Sequence, residues 1–240
     1  MNTDRIVAIT GGAGALGSAL AGHLVAEGYR VAILDTDRSK DRVAQLVLKL
    51  GAERAVGHVG DFATAATWDA ALVAIQRTFG AAPTHGALIA GGWEGGTPLH
   101  AAKDDAAYQK MMSSNVDTAY RALRSLLPAM VAAKRGSIVV VGSRVVERPW
   151  TSAGAAAYGA SKAAVVAMAQ AVAKEVLEHG VRINAILPST MDTPANRASM
   201  PDVDPSKWVS LESASSVIAF LLSEGARDVS GATLPVYGRA

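Results

Sequence analysis

Apolar residues along the chain fall into short β-branched runs, and these alternate with longer stretches that place an apolar residue every three or four positions. Arg5–Thr10 (R-I-V-A-I-T) reads as a strand that ends in glycines, and Ala15–Glu27 as a helix that stops at Gly28. The alternation continues through strands at Arg30–Asp35, Arg54–His58 and Gly86–Ala90, with helices at Ser39–Leu50 and Thr64–Phe79 between them. In the second half, helices over Ala106–Ala133, Tyr158–His179 and Leu211–Ser223 are interleaved with strands at Ser137–Val141, Val181–Leu187 and Ala232–Val236. Strands joined through helices require crossover connections, and crossovers give a parallel sheet covered on both faces. The pattern therefore predicts a doubly wound α/β fold with a seven-stranded parallel sheet. One stretch departs from it. Pro188–Lys207 is rich in Pro, Ser, Asp and Met, lacks apolar periodicity and follows a strand end, so it reads as a loop over a site.

Composition narrows the classes. With 240 residues, half of them hydrophobic, the chain can bury one large core without disulfides or metal. No internal repeat or low-complexity linker divides residues 1–240, which are expected to form a single domain. The chain has no cysteine, which removes disulfide frameworks, thiolate metal sites and cysteine nucleophiles together. A net charge of +2 from 23 basic and 21 acidic residues, with no Lys/Arg run, argues against a nucleic-acid partner. No apolar run is long enough to span a membrane, and the N-terminal residues do not resemble a cleavable signal. A cytoplasmic location is expected.

The segment T-G-G-A-G-A-L-G, Thr10–Gly17, closes the first strand and opens the first helix. Glycines in that context permit a tight turn and close backbone approach to a pyrophosphate, while the helix N-terminus offers unpaired N–H groups and a positive dipole end. The plainer alternative is a left-handed turn between strand and helix. Asp35 ends the second strand, 18 residues beyond Gly17, where a carboxylate can accept from both adenosine ribose hydroxyls and repel a 2′-phosphate. That favours NAD(H), while Arg38 nearby leaves NADP(H) open. A strand-end Asp can also simply cap its turn.

Tyr158 and Lys162, in Y-G-A-S-K, lie four residues apart at a helix start and so share one face. A phenol with an ordinary pKa near 10 transfers protons poorly at neutral pH unless a cation stabilises its phenolate, and Lys162 is placed to be that cation. Ser143 follows the strand S-I-V-V-V-G and can emerge at the carboxyl edge of the sheet to orient a substrate oxygen. Asn115, inside a helix that Asn does not favour, can hold a water linking Lys162 to solvent. Taken singly, each has an ordinary alternative: a surface pair, a turn serine, an exposed amide.

Together these residues resemble the short-chain dehydrogenase/reductase family along nearly the whole chain: at Thr10–Gly17, Asp61, Asn115, Ser143, the Y-x-x-x-K pair and the closing S-G-A-T-L-P-V-Y-G. The resemblance implies a Rossmann-type fold and hydride transfer between NAD(P)(H) and a carbonyl or alcohol. It also implies a catalytic tetrad of Asn115, Ser143, Tyr158 and Lys162, with Tyr158 as general acid/base. The cofactor would lie along Gly11, Gly14, Leu16 and Gly17 and past Asp35, with Asp61 at the adenine. Ala90, Gly91 and Pro188 stand where the family has strand-end cofactor contacts, with Met191 and Thr193 at the nicotinamide carboxamide. Self-association as a homodimer or homotetramer through Ala106–Ala133 and Tyr158–His179 is implied as well.

Two departures are similar to quinonoid dihydropteridine reductases: Ile89-Ala90-Gly91 with the glycine-rich run Gly91–Gly96, and Pro188-Ser189 within Leu187–Pro201. Ser143 points back toward carbonyl chemistry, because those reductases lack the catalytic Ser. A nucleotide-binding regulator without activity is a third reading, opposed by the complete tetrad. Trp93, Trp150, Met200 and Trp208 fall in loops expected at the carboxyl edge and are candidate walls for a small-molecule substrate, or else pack on neighbouring loops or a partner. The glycines around Trp93 suggest a mobile lid. His85, His100 and His179 lack ligand spacing, so no metal is expected.

Overall fold

The structure is a computed structural model that describes residues 5–239; Met1–Asp4 and Ala240 lie outside them. Seven strands, β1 Ile6–Thr10, β2 Arg30–Asp35, β3 Ala55–Val59, β4 His85–Leu88, β5 Gly136–Val141, β6 Val181–Pro188 and β7 Thr233–Val236, form one sheet in the order β3-β2-β1-β4-β5-β6-β7. Every pairing is parallel. The order reverses between β1 and β4, which opens a crevice at the carboxyl ends of those strands.

The period-two alternation of strand side chains divides the core in two. Ile6 and Ala8 of β1 and Ile138 and Val140 of β5 face one layer, which holds α3 (Ala65–Phe79), α5 (Thr118–Ala132) and α6 (Ala156–Val176). Val7, Ile9, Val139 and Val141 face the other, with α1 (Ala15–Ala26), α2 (Lys40–Leu50) and α8 (Leu211–Leu222). All eight strand residues are buried, so the strands read as continuous apolar runs, as a doubly covered sheet requires. No helix among the described residues is long and apolar enough to cross a membrane.

Three expectations need correction. The helix predicted over Ala106–Ala133 is α4 (Ala106–Met111), a π-helical segment Met112–Asp117, and then α5. A π turn widens the helix locally and is common at functional positions. Here it carries Asn115, whose buried amide is tied to Gly92 in a distant loop, so the break has a tertiary cause. Second, the strand expected to reach Ala90 ends at Leu88, because Thr10 Oγ1 accepts from the amides of both Ile89 and Ala90 and takes them out of the ladder.

Third, the loop Pro188–Lys207 is not structureless. It contains α7 (Pro194–Ser199), started by Thr193, whose side chain accepts from Asn196 N, with Pro194 in the first turn. A parallel bridge between Met191 and Val209 closes its neck.

Candidate active site

The glycine turn meets the start of α1 with no side-chain cap and no acidic residue in the first turn, so the amide groups there stay open to an anion. Gly17 cannot be replaced without moving backbone, since a Cβ there would stand 2.3 Å from Gly11 O. The turn forms one wall of a groove of about 680 Å³ at the switch point of the sheet. Gly11, Gly14, Leu16 and Gly17 line it, with Asp35 and Asp61 after β2 and β3, Ala90 and Gly91 after β4, and Met191 and Thr193 after β6. Residues spread over most of the chain thus meet on one surface. Pro188 ends β6, buried and in register with Val236.

Asp35 is held by the backbone it helps to shape: Oδ2 accepts from Ala13 N at 3.0 Å and Oδ1 from Thr36 N at 2.8 Å. Each carboxylate oxygen keeps a further lone-pair site for a ligand hydroxyl. Asp61 Oδ1 accepts from Ala63 N. Sequence reasoning noted Arg38 but missed Ser39 and Arg42, which line the same end of the groove with Arg42 donating to Ser39 Oγ at 2.6 Å. Their spacing at the start of α2 was the available signal.

The four candidate catalytic residues gather beside this groove. Ser143 is nearly buried just past β5, where its Oγ accepts from Val145 N at 3.4 Å and its hydroxyl opposes the effect of burial on the Tyr158 phenol. Lys162 lies one turn along α6 from Tyr158, and its Nζ donates to Val141 O at 2.9 Å. Gly91 bounds the groove close to both remaining groups: a Cβ there would stand 2.5 Å from Asn115 Oδ1 and 3.3 Å from Lys162 Nζ. Asn115, 1% exposed, turns its amide onto Gly92 and Ser161 rather than toward solvent, which corrects the exposed alternative. Ser161 was not singled out from the sequence, although it lies inside Y-G-A-S-K.

Burial sets the electrostatics. It pushes the Tyr158 phenol above its ordinary value, with the Ser143 hydrogen bond opposing, and lowers Lys162 to about 8. The ammonium is therefore poised near neutrality, a useful range for proton exchange.

The four large loop residues do not form one wall. Trp208 is buried at the neck of the 188–207 excursion, where Gly238 lies close to its backbone carbonyl. Trp93 and Trp150 are 64% and 72% exposed, and Met200 is half-buried. The loop that carries Trp93 is pinned rather than free: Gly92 is held by Asn115, and the Gly96 and Thr97 amides both donate to Gly154 O. Gly91 and Gly95 leave no room for a Cβ, whereas Gly96 faces open space with a φ of +99°. Among the described residues, no group of three or more His, Asp or Glu is placed to hold a metal.

Known proteins share this fold and much of this sequence. Residues 5–204 match the family model described as short chain dehydrogenase. The A-factor type gamma-butyrolactone 1'-reductase (1S-forming) of Streptomyces virginiae is 32% identical, over 98% of this chain and 95% of that protein. The 2-(S)-hydroxypropyl-CoM dehydrogenase 3 of Xanthobacter autotrophicus is 30% identical, over 98% and 96%. Among solved structures, the 3-ketoacyl-(acyl-carrier-protein) reductase from Brucella melitensis complexed with NADH superposes with a TM-score of 0.87 at 25% identity, covering 98% of each chain. On that match the chain belongs to the short-chain dehydrogenase/reductase family and is an NAD(P)-dependent oxidoreductase.

Proposed function

We propose that this chain, acting as one dinucleotide-binding and catalytic unit, interconverts a small-molecule carbonyl and its alcohol, with Tyr158 moving the proton. The observation that carries this reading is buried Lys162, one helical turn along from Tyr158, whose Nζ lies with the Asn115 amide against Gly91 in the wall of a groove shaped for a dinucleotide. The groove fits NAD(P)(H) on its own features: uncapped amides at α1, a glycine cradle that a Cβ would fill, and a carboxylate at the ribose position. Gly11, Gly14, Leu16, Gly17, Asp61, Ala90, Gly91, Pro188, Met191 and Thr193 would hold the cofactor with Asp35, Tyr158 and Lys162. When bound, the nicotinamide supplies or takes the hydride.

The chain's own groups do the rest. Ser143 Oγ orients the substrate oxygen beside the Tyr158 phenol, whose pKa it lowers against the effect of burial. Tyr158 gives its proton to the oxygen as negative charge develops there, and a protonated Lys162 stabilises the phenolate left behind. In the alcohol direction the same groups run in reverse. Asp35 favours NAD over NADP, and Arg38 and Arg42 at that end moderate the preference. Comparing KM for NADH and NADPH tests it: NADH should win, and a tenfold preference for NADPH would overturn the Asp35 argument.

Self-association through α4, α5 and α6 fits the exposed Tyr108 and Tyr120 on those helices; light scattering should give a dimer or tetramer, and a monomer would refute it. The dihydropteridine reading keeps the support of the Gly91–Gly96 and Leu187–Pro201 segments, while the presence of Ser143 beside Tyr158 favours carbonyl chemistry. Tyr158→Phe should lower turnover by roughly 10²–10⁴ on whichever substrate the enzyme accepts; a fully active variant would remove Tyr158 from the reaction.

A further inference from the structure

A buried polar path runs from the wall of the groove to the turn that carries Tyr158. Gly92 N donates to Asn115 Oδ1 at 2.8 Å, and Asn115 Nδ2 donates back to Gly92 O at 3.2 Å. This pairing leaves the amide a single orientation, with Nδ2 facing α6. There Nδ2 donates to Ser161 Oγ at 2.8 Å, and Ser161 Oγ donates its own proton to Tyr158 O at 2.8 Å. Asn115 and Ser161 are 1% and 0% exposed, so water does not compete for these bonds.

A helix interior does not need this serine. Ser ranks below Ala in helix propensity, and a hydroxyl wholly removed from water costs free energy unless it is bonded. A hydroxyl is, however, a group small enough for the site that both accepts from Asn115 and donates to Tyr158. Alanine does neither, and a thiol does both weakly. The path joins three elements distant in sequence: the loop after β4, the π turn and the first turn of α6. Its first member, Gly92, adjoins Gly91 in the groove wall.

We propose that Ser161 is a positioning residue that registers the Tyr158 turn of α6 against the Gly91–Gly92 wall, so that the seating of the cofactor on that wall sets where the phenol reaches. The proposal rests on the reading of Tyr158 as the proton-transferring group. It assigns Ser161 no contact with substrate or cofactor.

The test uses the full chain with saturating NADH and a ketone that the wild type reduces. Ser161→Ala is expected to lower kcat about tenfold, the scale of a modest misplacement of a reacting group, while KM for NADH changes less than about twofold. The limb of the pH–kcat profile that reports the phenol should move to higher pH, because a displaced Tyr158 loses alignment with the Ser143 hydroxyl that holds it down. Ser161→Cys fills the same space and should fall between the two, which keeps the test open if the alanine variant folds poorly. Wild-type kcat and limb in both variants, with Tyr158→Phe inactive, would overturn the role of Ser161. So would a lower thermal midpoint with an unmoved limb, since that marks a merely structural residue. An active Tyr158→Phe would instead overturn the underlying reading.

Discussion

The two sides of the sheet's carboxyl edge are built by different means. Over β1 to β3 the groove is made largely of backbone: glycines with little to displace, open amides at the start of α1, and carboxylates at two strand ends. Beyond β4 the surroundings come from loops, and their large side chains go separate ways. Trp93 and Trp150 stand largely in solvent, whereas Trp208 is buried. Recognition carried by backbone turns follows from spacing alone, whereas a loop side chain goes where its tertiary neighbours allow.

The largest expected contrast follows from that difference. Gly17→Val places a side chain against Gly11 O, which is backbone and cannot yield cheaply. NADH affinity measured by fluorescence titration should fall by at least about a hundredfold, on the order of 3 kcal/mol. Near-normal affinity would break the claim that backbone shape makes the groove. Gly91→Ala is a milder version, since its Cβ would meet the Asn115 side chain and Lys162 Nζ. A fall of about tenfold in kcat/KM is expected, and an unchanged value would show that this wall has slack.

What could be read from the sequence divides along the same line. β1, the glycine turn and α1 are local: a β-branched run, small residues and helical spacing suffice, and Asp35 follows by distance along the chain. The sheet and both its covered faces likewise follow from alternation. The π segment at Asn115 did not, because it leaves the apolar spacing of Ala106–Ala133 nearly intact and is tied to Gly92 in a distant loop. α7, at six residues, is too short for any periodic window, although Thr193-Pro194 was a capping signal. Trp208 is buried beside the Met191–Val209 bridge, a tertiary placement that no local pattern encodes. Ser161 went unremarked because its partners are Asn115 and a backbone carbonyl of its own helix.

Lys162 separates function from stability. Burial lowers its pKa from 10.5 to about 8, so the folded chain disfavours the ammonium. Between about pH 8 and 10.5 the unfolded chain binds more protons than the folded one, and stability therefore rises with pH across that window; below it the penalty is fully present. By linkage the shift corresponds to at most about 3 kcal/mol. Lys162→Met should abolish turnover yet raise the stability of the cofactor-free protein at pH 7 by about 1–3 kcal/mol, and should flatten the rise in urea midpoint between pH 8 and 10.5. A destabilised variant would show that Lys162 is held by more than its bond to Val141 O.

The smallest effect is expected at Trp150, exposed on a loop. Trp150→Ala should change stability by less than about 0.5 kcal/mol, the range of surface substitutions. A larger loss by thermal unfolding would mean that a partner or a neighbouring loop covers this residue.

The Ser143–Tyr158 pair at the rim of the groove is tested most directly by following NADH oxidation with a ketone panel beside quinonoid dihydropterin, in wild type, Tyr158→Phe and Ser143→Ala. Ketone turnover by the wild type is expected, with a loss of roughly 10²–10⁴ in Tyr158→Phe and a marked fall in Ser143→Ala. Inert ketones with pterin turnover intact in Ser143→Ala would contradict the carbonyl assignment.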